Sequence, residues 1–280
     1  MGDEWHSEAL PPPLQARPAI IVLPPNSRRM PTDPYGSLSV GYANGRRPDP
    51  RIAARIRTAL TGCLSLANVG AGTGSYEPRD LDVIAVEPSW SMLCQRAQGS
   101  APVVQGRAEC LPLRDGAVDA VLGVLTLHHW QDKAGGLLEC LRVARQRVLL
   151  ITFDATAGAG FWLTEDYFSE IHEWDVKQFP SIEQLRGWLG PITIEKIPIP
   201  ADCIDGFLGA FWRRPRVYLD AEVRAAMSTF AKIMRLEESL ERLRRDLESG
   251  VWEQRYGHLL TLDELDIGYR LVRRDCKGEP

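Results

Sequence analysis

Short apolar runs alternate with stretches whose apolar residues recur every three or four positions, beginning near Asp49. "DPRIAARIRTAL" sets Ile52, Ile56 and Leu60 on one helical face, with Pro50 in the first turn and Gly62 beyond the end, so a helix is predicted there. Leu64–Val69, Val83–Val86, Pro102–Gln105, Val118–Leu125 and Arg147–Phe153 read as strands, and "PSWSMLCQRAQ" and "KAGGLLECLRVA" as helices between them. Strands that are apolar on both faces and separated by helices predict an α/β, Rossmann-like, mostly parallel sheet with helices on both sides. In such a sheet the ligand lies beyond the carboxyl ends of the strands.

After Phe153 the alternation stops. "FWLTEDYF", "IHEWDV" and "FLGAFWRRPRVYL" concentrate aromatics and predict a cap insertion before the last strand, contributed by residues of about 155–190 and 199–258. Val223, Met227, Phe230, Met234, Leu240, Leu243 and Leu247 continue one apolar stripe, which predicts a single long helix ended by Gly250. "RLEESLERLRRDLE" alternates charge sign at helical spacing, as a solvated face does. "LDIGYRLVRRD" alternates like a strand that returns to the sheet. Half of the 20 prolines fall in the first 50 residues, so residues 1–32 are expected to be a flexible, Pro-rich segment and 33–280 the folded domain.

Composition narrows the partner. Of 280 residues 44% are hydrophobic and 25% charged, with a formal net charge of -4, which argues for a small-molecule substrate and against a nucleic-acid surface. Six cysteines without a CxxC pair read as reduced thiols, and no apolar run reaches the length of a membrane span, so a cytoplasmic location is expected. No HxxxH or Cys/His spacing implies a metal. The pattern does not choose between a monomer and a homodimer.

The densest chemistry is "NVGAGTGSYE", directly after the first strand. A phosphate-binding P-loop needs Lys and Ser or Thr after its last glycine, whereas Gly74 is followed by Ser75 and Tyr76. A dinucleotide fingerprint counted from Gly70 finds Gly72 but Ser75 in the third glycine's place. Glu87 ends the second strand, where an acceptor-only carboxylate can take both hydroxyls of a ribose.

"NVGAGTGSY", "VIAVEPSWSML" and "QGRAECLPLRDGAVDAVLGVLTLHHW", in that order, resemble the class I S-adenosylmethionine-dependent methyltransferases, in particular the small-molecule group that includes the ubiquinone and menaquinone biosynthesis methyltransferases. The resemblance spans roughly Leu64–Asp154, more than a third of the 280 residues. It implies S-adenosyl-L-methionine as cofactor, with Gly70, Ala71, Gly72, Thr73 and Gly74 under its methionine part. It implies Glu87 at the ribose, Met92 on the adenine side and Ala108 and Glu109 at the adenine ring, with Pro88 and Leu125 also among the cofactor-binding residues. Upstream, "YGSLSVGYANGRRPDP" resembles the group's N-terminal lid, which makes Tyr42 and Arg46 cofactor-closing candidates, Arg46 for the carboxylate. One departure is Asn68, where an acid commonly precedes the loop.

His128 and His129 follow the fourth strand and Asp154 the fifth, which makes them the candidate catalytic groups. Tyr35, Trp162, Trp212 and Arg213 are the candidate substrate contacts, "FWRRP" offering aromatic and cationic groups together. The leading expectation is methyl transfer to a small hydrophobic or aromatic metabolite. The alternatives are a catalytically inactive, cofactor-binding or scaffolding relative of such an enzyme, and a nicotinamide-dependent oxidoreductase.

Overall fold

The computed structural model describes residues 20–21 and 45–276. Its centre is an eight-stranded sheet: β1 (Ile20–Ile21), β2 (Ser65–Val69), β3 (Asp82–Glu87), β4 (Val103–Gln105), β5 (Val118–Val124), β6 (Ala144–Phe153), β7 (Thr193–Lys196) and β10 (Tyr269–Asp275). The strands lie side by side in the order β1-β4-β3-β2-β5-β6-β10-β7. β1 to β6 pair in parallel and β10 is antiparallel to both neighbours, β6 and β7. β8 (Ile199–Pro200) and β9 (Glu264–Leu265) form a separate antiparallel pair. The chain reverses direction across the sheet beside β2, so the loops after β2, β3 and β5 converge where this architecture opens a crevice.

The continuous apolar runs of the strands are explained by burial on both faces. In β6, Leu149 and Ile151 join one hydrophobic cluster while Val148 and Leu150 join the other. In β2, Leu66 faces the first and Ala67 and Val69 the second, as the two-residue period of a strand requires. The second cluster is roofed by Leu137, Cys140 and Val143 of α3 (Lys133–Val143) and by Leu185 and Leu189 of α5 (Ile182–Leu189). The first takes Ile52 and Ile56 of α1 (Pro50–Ala59) together with nearly all of the aromatic-rich region. Asp49 caps α1 by accepting the Arg51 N–H, and Pro50 needs no intrahelical partner at that position.

Two predicted helices differ from expectation. "PSWSMLCQRAQ" is helical only over α2 (Trp90–Leu93), with the Ser89 hydroxyl accepting the Met92 N–H at 3.3 Å. The long apolar stripe is broken into α6 (Ala221–Ala225), a 3-10 turn at Ser228–Lys232 and α7 (Leu236–Ser249). Met227 and Ile233 are extended, which frees Phe230 to pack edge-on against Phe168 at 5.2 Å. Ser228 and Thr229 sit at the break, where their hydroxyls favour turns over a helix interior. Gly250 does end α7, in the left-handed region at φ 80°. Also present are α4 (Ser169–Gln178) and α8 (Val251–Tyr256). Among the described residues no helix is long and apolar enough to cross a membrane.

Candidate active site

At the carboxyl ends of β2, β3 and β5 lies a cavity of about 520 Å³. The glycine loop forms one wall. The N–H groups of Gly70 and Ala71 both donate to Val86 O, at 2.8 and 3.2 Å, so the loop continues the β2–β3 pairing before turning away. Gly70 has φ +68° and a Cβ there would lie 1.9 Å from Thr126 Oγ1, so no other residue fits this approach of the loop to the end of β5. Gly72 has φ +52°, which favours glycine, and a Cβ there would meet no protein atom within 4 Å; the residue lines the cavity, so the loop backbone faces that space.

Glu87 closes the adjacent wall, only 5% exposed. Its Oε2 accepts the Gly72 N–H at 2.8 Å and its Oε1 accepts the Ser89 N–H at 2.9 Å. These bonds fix the carboxylate at the rim of the cavity, and a carboxylate oxygen can accept more than one donor. Pro88, Met92, Ala108, Glu109 and Thr73 line the same space. Glu109 accepts the Gln131 N–H at 2.7 Å and the Asp132 N–H at 3.3 Å, so its chain ties the loop after β4 to the loop after β5.

Asn68 has a defined partner. Its Nδ2 donates to Glu77 Oε1 at 3.1 Å, and Glu77 is paired with Arg96, whose side chain is fully buried, at 2.7 Å. An acid at position 68 would set two carboxylates against each other, whereas the amide donates to Glu77 and itself lines the cavity.

A second, far smaller cavity of about 80 Å³ lies deeper, and Arg46, Leu125 and His129 line both. Leu125 follows β5 with φ 48°, a strained conformation for a side-chain-bearing residue, held by its N–H bond to Ile151 O at 2.8 Å. Phe161, Thr164, Trp174, Asp175 and Phe179 reach this inner cavity from one segment of the aromatic-rich region, and Phe207, Gly209 and Met227 from another. His128 stacks beside Phe179 at 4.4 Å and edge-on to Trp174 at 5.6 Å. Its Nδ1 is buried without a hydrogen-bond partner. Desolvation drives the His128 pKa well below the ordinary histidine value. The walls around His129, with Lys232 and Lys133 beyond, lower its pKa to about 4. Both imidazoles are therefore neutral at pH 7, and their surroundings disfavour the imidazolium form.

Arg46 does not wait as a free cation. Its Nε donates to Asp205 Oδ1 at 2.7 Å and its Nη2 to Asp205 Oδ2 at 3.2 Å, and Tyr76 Oη donates to the same carboxylate at 2.9 Å. Asp205 is wholly buried, so this fork pins the segment before α1, the glycine loop and the loop after β8 to one another.

Of the residues singled out from sequence, Arg46, Gly70, Ala71, Gly72, Thr73, Glu87, Pro88, Met92, Ala108, Glu109 and Leu125 line the outer cavity, and His128 and His129 the inner one. Others are placed elsewhere. Gly74 turns away, its α-carbon packed toward Arg96 and Glu77. Asp154 caps a turn, its Oδ1 accepting the Thr156 and Ala157 N–H groups, and lines neither cavity. Trp162 and Trp212 are core: both indoles are essentially unexposed, Trp162 Nε1 donating to Trp212 O and Trp212 Nε1 to Ile199 O, each at 2.8 Å. Their N–H groups are satisfied by backbone, which is how a tryptophan is accommodated in an interior. Arg213 lines neither cavity. Tyr35 and Tyr42 lie outside the described residues.

Sequence reasoning missed Trp90 and Asp175. Trp90 is 49% exposed at the rim of the outer cavity. Asp175 is 5% exposed, and one turn before it on the same helix lies buried Ile171; an acid in an apolar stripe was the available signal.

Residues 67–152 match the family described as "Methyltransferase domain". A protein of Anabaena variabilis, assigned as a methyltransferase of an antibiotic biosynthesis pathway, is 36% identical in sequence. Its crystal structure superposes with a TM-score of 0.76 over 82% of this chain and 98% of that one. YcgJ of Bacillus subtilis, 13% identical, shares the fold with a TM-score of 0.50 over 82% of this chain and 100% of its own. Uncharacterized methyltransferases of Mycobacterium tuberculosis and Mycobacterium bovis are each 38% identical over 127 residues, 42% of this chain and 51% of theirs. The chain thus spans about half the length of these curated relatives. Fold, loop and near-full-length relative together make one assignment: the chain belongs to the class I S-adenosylmethionine-dependent methyltransferases. The cofactor of that family is S-adenosylmethionine.

The outer cavity suits this cofactor. It joins a carboxylate rim for a ribose, an unfilled space over Gly72 where a Cβ would intrude, and apolar walls at Met92 and Ala108 for a flat ring.

Proposed function

We propose that the protein methylates a small, hydrophobic or aromatic metabolite. The observation that carries this reading is the pairing of a cofactor-sized cavity over the glycine loop with a small aromatic-walled one that opens from it at His129. S-adenosylmethionine supplies a methyl group on a sulfonium, an electrophile whose transfer depends mainly on alignment and dryness. In this reading Glu87 accepts the ribose hydroxyls, the backbone of Gly70–Gly72 lies against the methionine portion, and Glu109 and Ala108 meet the adenine. Residues of about 155–190 and 199–258 form the substrate cap, and their aromatics exclude water. His129, at the junction of the two cavities, is a neutral imidazole at neutral pH, with one ring N–H to donate and one nitrogen to accept, and is placed to orient the acceptor.

The assignment of the Anabaena variabilis protein to an antibiotic biosynthesis pathway supports a small-molecule substrate. Incubating the protein and S-adenosylmethionine with fractionated small-molecule extracts should produce a species heavier by one methyl group. The same gain appearing on protein or nucleic acid and on no small molecule would overturn the reading.

A further inference from the structure

Asp175 is a buried acid of the inner cavity that the reading above leaves without work. It sits on α4 with 5% exposure, and its carboxylate has no hydrogen-bond or ion-pair partner among the described residues. Burial of an ionisable acid without a partner is costly and is rarely retained in a core that an amide would fill as well. Around it stand Trp174, Phe179 and Phe153, with Phe153 and Phe179 meeting edge-on at 5.5 Å, so the space is flat-sided and apolar. A ring with one polar edge fits such walls.

The surrounding charge decides which polar edge. Lys232 places its Nζ 3.7 Å from the centre of the Trp174 ring, so the cation site on that aromatic is already taken by the protein. Arg46 forms part of the cavity wall, and His128 and His129 are both held neutral there, with Lys232 among the causes. Tyr269 lines the cavity from β10 and is also neutral, its pKa pushed up by burial. A second ammonium would therefore meet the charge of Lys232 beside Trp174, whereas a neutral hydroxyl would find in Asp175 an acceptor with no hydrogen-bond partner among the described residues.

We propose that the inner cavity is a subsite for a neutral hydroxyl-bearing aromatic ring, a phenol-class acceptor, and that Asp175 receives the hydroxyl proton. The step is a simple transfer: the O–H bond breaks, an O–H bond forms on the Asp175 carboxylate, and the electron pair stays on the ring oxygen. Burial, only partly opposed by Lys232, raises the Asp175 pKa to about 7, which suits a group that must take up a proton near neutrality. This subsite rests on the methyltransferase reading only for its purpose; the binding event is separate.

The test uses 4-nitrophenol, whose phenolate absorbs in the visible, added to the full chain with S-adenosylhomocysteine at about pH 7, where a substantial part of Asp175 is ionised and part of the phenol is still neutral. The wild type should bind it saturably with a rise in phenolate absorbance. Asp175→Asn should bind it at least tenfold more weakly, without that rise, while keeping its affinity for S-adenosylhomocysteine. Benzylamine, a cationic ring of similar size, should not compete. No saturable binding of 4-nitrophenol, equal binding and absorbance in Asp175→Asn, or displacement by benzylamine would each overturn the proposal. Loss of S-adenosylhomocysteine binding by the wild type would instead count against the methyltransferase reading.

Discussion

At the scale of single residues, two carboxylates illustrate opposite uses of burial. Glu87 is buried and accepts backbone N–H groups from Gly72 and Ser89, so its carboxylate is fixed in place. Glu87→Ala should weaken S-adenosylhomocysteine by about 1.5–3 kcal/mol, the range for hydrogen bonds to a charged group, as read by calorimetry. Asp175 is buried and unsatisfied, and its pKa rises to about 7 from the ordinary 3.8. Between those values the folded chain binds a proton that the unfolded chain has lost. That group's contribution to stability therefore falls as pH rises through the interval, and its full cost is present above pH 7. Asp175→Asn should accordingly melt higher than the wild type at pH 8, with the gap closing toward pH 5; an unchanged gap across that range would contradict the environment described here. Glu87 was legible because it ends a strand beside a glycine-rich loop. Asp175 was not, because its meaning lies in what surrounds it in space.

Elements were legible in proportion to how local their causes are. Strands β2, β3, β5 and β6 stand where their apolar runs predicted, since burial on both faces leaves a continuous signature in the chain. The stripe from Val223 to Leu247 misled because apolar spacing alone does not register the packing of Phe230 on Phe168, which bends the chain out of one helix into three pieces. "FWRRP" misled for a related reason: an aromatic beside arginines looks the same in sequence whether it faces a ligand or the interior. Trp212 faces the interior, where Trp162 meets Trp252 at 5.4 Å and Tyr218 at 5.7 Å. Trp212→Ala should cost about 3–5 kcal/mol in urea unfolding, as large aromatic truncations in cores do. The fraction that remains folded should bind S-adenosylhomocysteine normally; a stable variant with normal urea midpoint would remove Trp212 from the core.

Over the whole molecule, parallel strands bring the loops after β2, β3 and β5 to one edge, and much of the aromatic-rich region packs into the first hydrophobic cluster. Asp205, gripped by Arg46 and Tyr76, joins the two parts at a wholly buried charge. The outer cavity is thereby built by the sheet and its loops, and the inner one largely by the region that follows. The central claim is that the outer cavity holds S-adenosylmethionine through Glu87 and the glycine loop. Calorimetric titration of S-adenosylhomocysteine and NAD into the wild type and Glu87→Ala tests it most directly. S-adenosylhomocysteine should bind the wild type in a one-to-one complex, the variant should bind it at least tenfold more weakly, and NAD should give no heat of binding; NAD binding, or equal affinity of the two proteins for S-adenosylhomocysteine, would contradict the account.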